Sequence, residues 1–227
     1  MSWEILKDKQ IINYLKARDP YLIKVFKEVK DDAFDRVFEK SIFVILIGAL
    51  IGQRIKYVTA KKYRKEMYEL LGDNFTPKQL LEKLDILTIS ENKKTLIKQV
   101  SNYVIENNLT FEGKDSNKEK EENDEKDNSD EKDNNNGKEE PKKDNKEIVA
   151  EINSLINCKG IGPWTIKTVL LTSMMDPDIF PETDKFLEQK ISKLYNIKAT
   201  KRTVLNISSR WTPYKSVVTW YLWRWFD

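Results

Sequence analysis

Histidine is absent from the 227 residues, and Cys158 is the only cysteine. No disulfide can close within the chain, no Cys/His cluster exists to hold zinc, and the four thiolates of an iron–sulfur cluster are lacking. A single free thiol fits a reducing compartment. Cys158 makes a poor nucleophile, because no imidazole is there to take its proton. Glycine and proline are scarce, seven of each, which favours helices. Long apolar runs are lacking too. The longest, Ile42 to Ile51, is about half of what a bilayer span needs and reads as a buried core helix. The first residues, Met1 to Asp8, carry acids and no extended apolar core, so they do not read as a secretory signal. These absences point to a soluble, intracellular protein with no membrane partner, expected as a monomer.

Charge is plentiful and unevenly spread. Forty basic and 37 acidic side chains leave a formal net charge of +3. Between Glu112 and Glu147 stand 15 acidic residues and 9 lysines, with hardly an apolar side chain. No core can form there, and residues 112–147 are expected to be a disordered acidic insert between two helices. The rest holds 31 basic and 22 acidic residues, a net of +9. A basic body suits a polyanion. A Lys-rich surface arising from biased composition gives the same count, and charge alone does not separate the two readings.

Everything outside the insert has helical spacing. Ile11, Tyr14, Leu15 and then Leu22, Val25, Phe26 form two short helices broken at Asp19-Pro20. Phe34, Val37 and Phe38 lead into the apolar helix that ends near Gly52. Further helices are expected over 58–71, 76–84, 93–106, 148–156, 163–175, 184–195, 201–209 and 214–225. Thr76-Pro77 supplies a hydroxyl cap followed by proline at the first helical position. No run of alternating strands and no internal repeat is present.

The segment Lys159-Gly160-Ile161-Gly162-Pro163-Trp164-Thr165 lies between two of these helices. Two glycines let the backbone turn tightly and approach a partner closely, and Pro163 suits the start of the helix that follows. Backbone N–H groups at that helix N-terminus make a ready anion site, and a DNA phosphate is a fitting anion. An ordinary corner between helices is the alternative. Asp184, one helix further on, could meet a nucleotide held by the hairpin. Breaking an N-glycosidic bond builds positive charge on the sugar, which a fixed carboxylate stabilises; with no histidine, an acid must do it. Asp184 also reads as a simple helix cap, and Trp164 as plain core.

Gly160-Ile161-Gly162-Pro163-Trp164-Thr165 with Phe180-Pro181-x-Thr183-Asp184 resembles the signature of the helix-hairpin-helix, Gly/Pro, Asp superfamily of base-excision DNA glycosylases, most closely its 3-methyladenine DNA glycosylase II branch. Tyr14-Leu15-x-x-x-Asp19-Pro20, Ile47-x-x-x-Ile51-Gly52-Gln53 and Trp211-x-Pro213-Tyr214-Lys215-Ser216 with Tyr221-Leu222-Trp223 are similar to further family segments. The resemblance implies that Asp184 is the catalytic carboxylate and that Trp164, Thr168 and Trp211 line the pocket for a flipped base. It also implies that Lys159, Gly160, Gly162 and Thr165 bind the DNA backbone, and that Gln53 and Arg54 wedge into the duplex.

Lyase-competent relatives carry a lysine at the position of Trp164. An indole cannot form a Schiff base, but it can stack on a base made cationic by alkylation, which is also cheaper to flip. Lys159 departs from the proline usual in relatives, Arg54 from an apolar or amide wedge, and Thr168 from a pocket aromatic of some members. Lys167, one turn after Trp164, leaves open whether its amine reaches the site.

The expectation is therefore an all-α protein of two helical lobes with a cleft between them. Residues 1–34 join the C-terminal lobe of 176–227, and residues 35–175 form a helical barrel lobe carrying the hairpin and the insert. The extra N-terminal β-domain of some family members has no counterpart before the opening helix. The implied activity is a monofunctional glycosylase releasing alkylated purines of the 3-methyladenine type from duplex DNA. A bifunctional glycosylase/lyase and a non-catalytic DNA-binding protein are the alternatives. The partner is double-stranded DNA with damaged bases, and the address a nucleus. No metal and no cofactor are expected, save a monovalent cation at the hairpin.

Overall fold

The computed structural model describes residues 3–29, 40–111, 143–173 and 175–225, apart from the side chain of Tyr57. Phe34, Val37, Phe38, the boundary at residues 34/35 and most of the acidic insert lie outside these residues. The chain is all-α. Eleven α-helices and no strand occur among the described residues: α1 (Lys9–Arg18), α2 (Leu22–Glu28), α3 (Ile42–Gly52), α4 (Tyr57–Leu71), α5 (Pro77–Lys83), α6 (Glu91–Glu106), α7 (Asn145–Ser154), α8 (Pro163–Thr172), α9 (Lys185–Tyr195), α10 (Lys201–Ser208) and α11 (Lys215–Arg224).

Side-chain caps set where many of them begin. Asp8 accepts from the N–H groups of Gln10 and Ile11, at 2.7 and 3.2 Å. Ser41 accepts from Val44 N at the head of α3. Thr76 and Gln79 close a capping box in front of α5, with Pro77 at its first position. Asp144 and Glu147 close another before α7. That box satisfies N–H groups that would otherwise be orphaned, so α7 opens at Asn145 and not at Ile148, and residues 145–147 belong to a helix, capped by Asp144, and not to the insert. At the other end, α8 stops at Thr172, short of the expected Met175.

The helices bury two apolar clusters. One gathers α3 through α8: Leu46, Leu50, Met67, Leu80, Ile97, Val100, Ile152 and Val169 are fully buried in it. Helix α3 is wrapped on all sides, with every residue from Ile42 to Ile51 buried, as its unbroken apolar run requires. The second gathers α1, α2 and α9 through α11 around Leu15, Leu22, Leu187, Ile191, Trp211, Val218 and Leu222. The two meet on α8, where Leu170 belongs to the first cluster and Leu171 to the second.

The N-terminal helices are fastened to the C-terminal ones by polar contacts. Asp19 is fully buried. It accepts from the Trp211 indole N–H at 2.9 Å, from the Tyr195 hydroxyl and from the backbone N–H of Tyr21. Burial, reinforced by the hydrogen bond to the Asp19 carboxylate, pushes the Tyr195 phenol well above its ordinary value. Tyr221 donates to the carbonyl of Leu6 at 2.9 Å, and the Trp225 indole to Glu28 at 2.6 Å.

Candidate active site

Asp184 is the residue before α9 and is 8% exposed. One oxygen, Oδ1, accepts from the backbone N–H groups of Phe186 at 2.8 Å and Leu187 at 3.1 Å, so Asp184 caps the helix. The other, Oδ2, accepts from two indoles: Trp164 Nε1 at 3.0 Å and Trp223 Nε1 at 3.3 Å. Cap and site thus coincide. Four N–H donors and the positive end of the α9 dipole hold a charge with little access to water. An ionised carboxylate has about four lone-pair directions, and four donors meet it. Trp164 comes from the second residue of α8 and Trp223 from the last turn of α11, so helices from both apolar clusters converge on one oxygen.

The hairpin precedes α8. Ile161 is buried and ties the turn to the core. Its N–H donates to the carbonyl of Cys158 at 3.0 Å. Among the described residues, no acceptor meets the backbone N–H of Gly160 or Gly162. Gly160 has φ +93°, a conformation that favours glycine, and a Cβ there would lie 2.4 Å from Leu96 Cδ1 of α6, so that side chain would have to shift. A Cβ at Gly162 would meet nothing within 4 Å. Space is left open there for an approaching group. Lys159 is exposed beside the turn.

Gln53 and Arg54 follow α3 in a loop that lies against the hairpin. Gln53 Nε2 donates to Thr165 Oγ1 at 2.8 Å and to the carbonyl of Gly160 at 3.4 Å. Arg54 has φ +58° and is exposed, as is Val58 in the first turn of α4, at 78%. Lys93 of α6 donates to the carbonyls of Leu50 at 3.0 Å and Gln53 at 2.9 Å. Burial, with the like charge of Arg64 second, holds the Lys93 ammonium below the usual lysine range.

Other expected site residues are placed differently. Trp211, expected to line the base pocket, is fully buried and donates to Asp19, while a second indole, that of Trp223, meets Asp184. Thr165 is 1% exposed and its hydroxyl accepts from Gln53, so its side chain does not face a backbone partner. The hydroxyl of Thr168, one turn beyond Trp164, is buried with no partner among the described residues. Lys167 is ion-paired with Glu182. Burial alone would raise the Glu182 carboxyl, but the Lys167 hydrogen bond, a backbone N–H and the charge of Lys201 together hold it below its ordinary value. Trp223 and Lys93 carried no signal of their own as site residues. Trp223 stood within the family's closing segment, and only its position there pointed toward the site. Among the described residues, no group of three or more Cys, Asp or Glu side chains converges as a metal site.

An all-α body, a Gly-x-Gly-Pro hairpin and a helix-capping carboxylate against an indole occur in a chain that is similar to DNA-3-methyladenine glycosylases in sequence and in fold. It is 30% identical over 196 residues to a DNA-3-methyladenine glycosylase of Bacillus subtilis, covering 81% of this chain and 57% of that protein. It is 30% identical over 90 residues to DNA-3-methyladenine glycosylase 1 of Schizosaccharomyces pombe, 38% of each chain. The chain therefore spans little more than half the length of the Bacillus subtilis relative. Its fold matches that of a Schizosaccharomyces pombe 3-methyladenine DNA glycosylase solved in complex with abasic DNA, with a TM-score of 0.67 at 20% identity over 95% of both chains. It also matches a 3-methyladenine DNA glycosylase of Archaeoglobus fulgidus, with a TM-score of 0.62 at 18% identity over 94% of this chain and 67% of that one. No family model matches the sequence.

Proposed function

We propose that the protein is a monofunctional DNA glycosylase that releases alkylated purines of the 3-methyladenine type from duplex DNA. One observation carries this reading: the Asp184 carboxylate, buried and pinned by two indole N–H groups, sits one helix beyond a hairpin with open backbone N–H groups. The hairpin grips a phosphate without reading sequence, Arg54 fills the gap in the duplex, and the damaged nucleotide turns toward Trp164. The glycosidic bond breaks with its electron pair going to the cationic base, which leaves neutral. The sugar, now positive at C1′, is stabilised by Asp184. A water oxygen bonds to C1′ and passes its proton to bulk water, leaving an abasic site. Asp184 works chiefly by charge, because its lone pairs are already met.

Pairing of Lys167 with Glu182 supports the monofunctional reading over a lyase, since that amine is engaged. Nothing in the reaction draws on a cofactor; a monovalent cation at the hairpin carbonyls would only reinforce the phosphate grip. The lobes divide as residues 35–175 against 1–34 with 176–227. The protein acts as a monomer where the genome is, in a nucleus if the cell has one. Among the described residues no helix is long and apolar enough to cross a membrane.

Base release from methylated duplex DNA tests the reading, with wild type and Asp184→Asn side by side. Asparagine keeps an acceptor for the helix cap but not the charge. Release is expected to fall by about 100-fold or more, while affinity for an abasic duplex persists. Unchanged release would remove Asp184 from the chemistry. Borohydride should trap no covalent adduct.

A further inference from the structure

Two loops are assigned to DNA above, and one helix braces both. On α6, Lys93 and Leu96 stand three residues apart and so share a face. Lys93 donates to the last carbonyls of the α3 region, those of Leu50 at 3.0 Å and Gln53 at 2.9 Å. Leu96 packs on the hairpin at Gly160, so closely that a Cβ there would displace it. Gln53 then joins the two loops directly, its amide donating to Thr165 and to the Gly160 carbonyl. The chain of contacts runs from α6 through the backbone of Gln53 to its side chain and into the hairpin. Arg64 of α4 also meets α3, its Nε donating to the Gly48 carbonyl at 2.9 Å. With these contacts made, Gln53 is committed to the hairpin, and Arg54, exposed at φ +58°, is the side chain left pointing outward.

We infer that Lys93 is a positioning residue for damage recognition: through Gln53 it locks the loop carrying Arg54 at a fixed distance from the phosphate-binding hairpin. The physical reason is geometric. A wedge must enter the stack at a set offset from the gripped phosphate, and a misplacement of about 1 Å is enough to cost roughly 100-fold in a positioned reaction. Lys93 caps carbonyls that would otherwise be free to let the loop drift. Its charge makes those hydrogen bonds stronger than neutral ones. This inference rests on the DNA-repair reading proposed above.

The test uses the full chain and two duplexes, one intact and one carrying a tetrahydrofuran abasic analogue, each with 2-aminopurine beside the test position. Wild type should bind the abasic duplex more tightly and raise the 2-aminopurine fluorescence as the stack is parted. Lys93→Met keeps the aliphatic stem and removes the donors. It should lose roughly tenfold of the preference for the abasic duplex, mostly through weaker binding of that duplex, and should lose most of the fluorescence gain. Lys93→Arg should restore both. Gln53→Leu severs the same clasp from its partly exposed side and decides the matter if Lys93→Met does not fold; it should show the same loss, and the double variant no more than the larger single loss. Wild-type preference and fluorescence in Lys93→Met, or in Gln53→Leu, would overturn the inference. An equal loss on both duplexes, unrelieved by arginine, would overturn it as well. If wild type itself neither prefers the abasic duplex nor releases base, it is the glycosylase reading that fails.

Discussion

At Asp184 the same carboxylate does two jobs that are usually alternatives. Its Oδ1 closes the first turn of α9, and its Oδ2 faces Trp164 and Trp223. The cap fixes the side chain's rotamer, so Oδ2 is held toward the two indoles. That Trp164 and Asp184 face each other was legible from the sequence, because the Gly-x-Gly-Pro-Trp and Pro-x-Thr-Asp segments carry their own spacing. Trp223 was not. It is 39 positions from Asp184, and six tryptophans offered nothing to tell a buried anchor such as Trp211 from an indole at the site. Trp223→Phe keeps a ring in place and deletes one N–H donor to Oδ2. Base release is expected to drop roughly tenfold with little change in thermal stability; release at the wild-type rate would show that the Trp223 N–H contributes nothing to the carboxylate's work.

At the scale of elements, the hairpin separates two kinds of glycine. Gly160 is demanded by its own backbone and has Leu96 pressed against it, while Gly162 has an ordinary φ of −123° and open space where a side chain would go. Gly160→Ala should therefore cost stability, by about 1–3 kcal/mol for a strained backbone and a collision, seen as a lower urea midpoint. Gly162→Ala should leave that midpoint near wild type and weaken duplex binding, because its Cβ would stand where a phosphate approaches. Equal behaviour of the two variants would count against the hairpin as an anion site. Helix existence was readable from apolar period and caps, down to Thr76-Pro77. Ends were less so: the Asp144/Glu147 box lies in a run so polar that its capping role is masked by composition, and only packing of Ile148 and Ile152 into the core turns that run into a helix. The Lys93 contacts were invisible for a related reason, since one lysine among the basic residues gains meaning only from the carbonyls it meets.

Across the whole molecule, the buried Asp19 junction ties chain start to chain end. Its partner Tyr195 is held protonated by burial and by the hydrogen bond to Asp19, so its folded pKa lies above the ordinary 10.0. The unfolded phenol ionises from about pH 10 upward while the folded one keeps its proton. Stability from this group is complete below that pH and is lost as pH rises above it, by at most about 1.4 kcal/mol per pH unit. Tyr195→Phe should be less stable at pH 8, with Asp19 short of a donor, and should lose part of the alkaline fall. Urea midpoints from pH 8 to 11 measure both, and a wild-type slope retained in the variant would assign the fall to other groups.

Leu170 and Leu171 point into different apolar clusters although they are neighbours on one helix. No cut in the polypeptide can divide those clusters without stripping one of them of α8, and α8 also bears Trp164. Calorimetry should accordingly record a single endotherm whose van't Hoff and calorimetric enthalpies agree, and neither half expressed separately should fold. Two resolved melting peaks would mean that the helix behaves as a tether and not as a common spine.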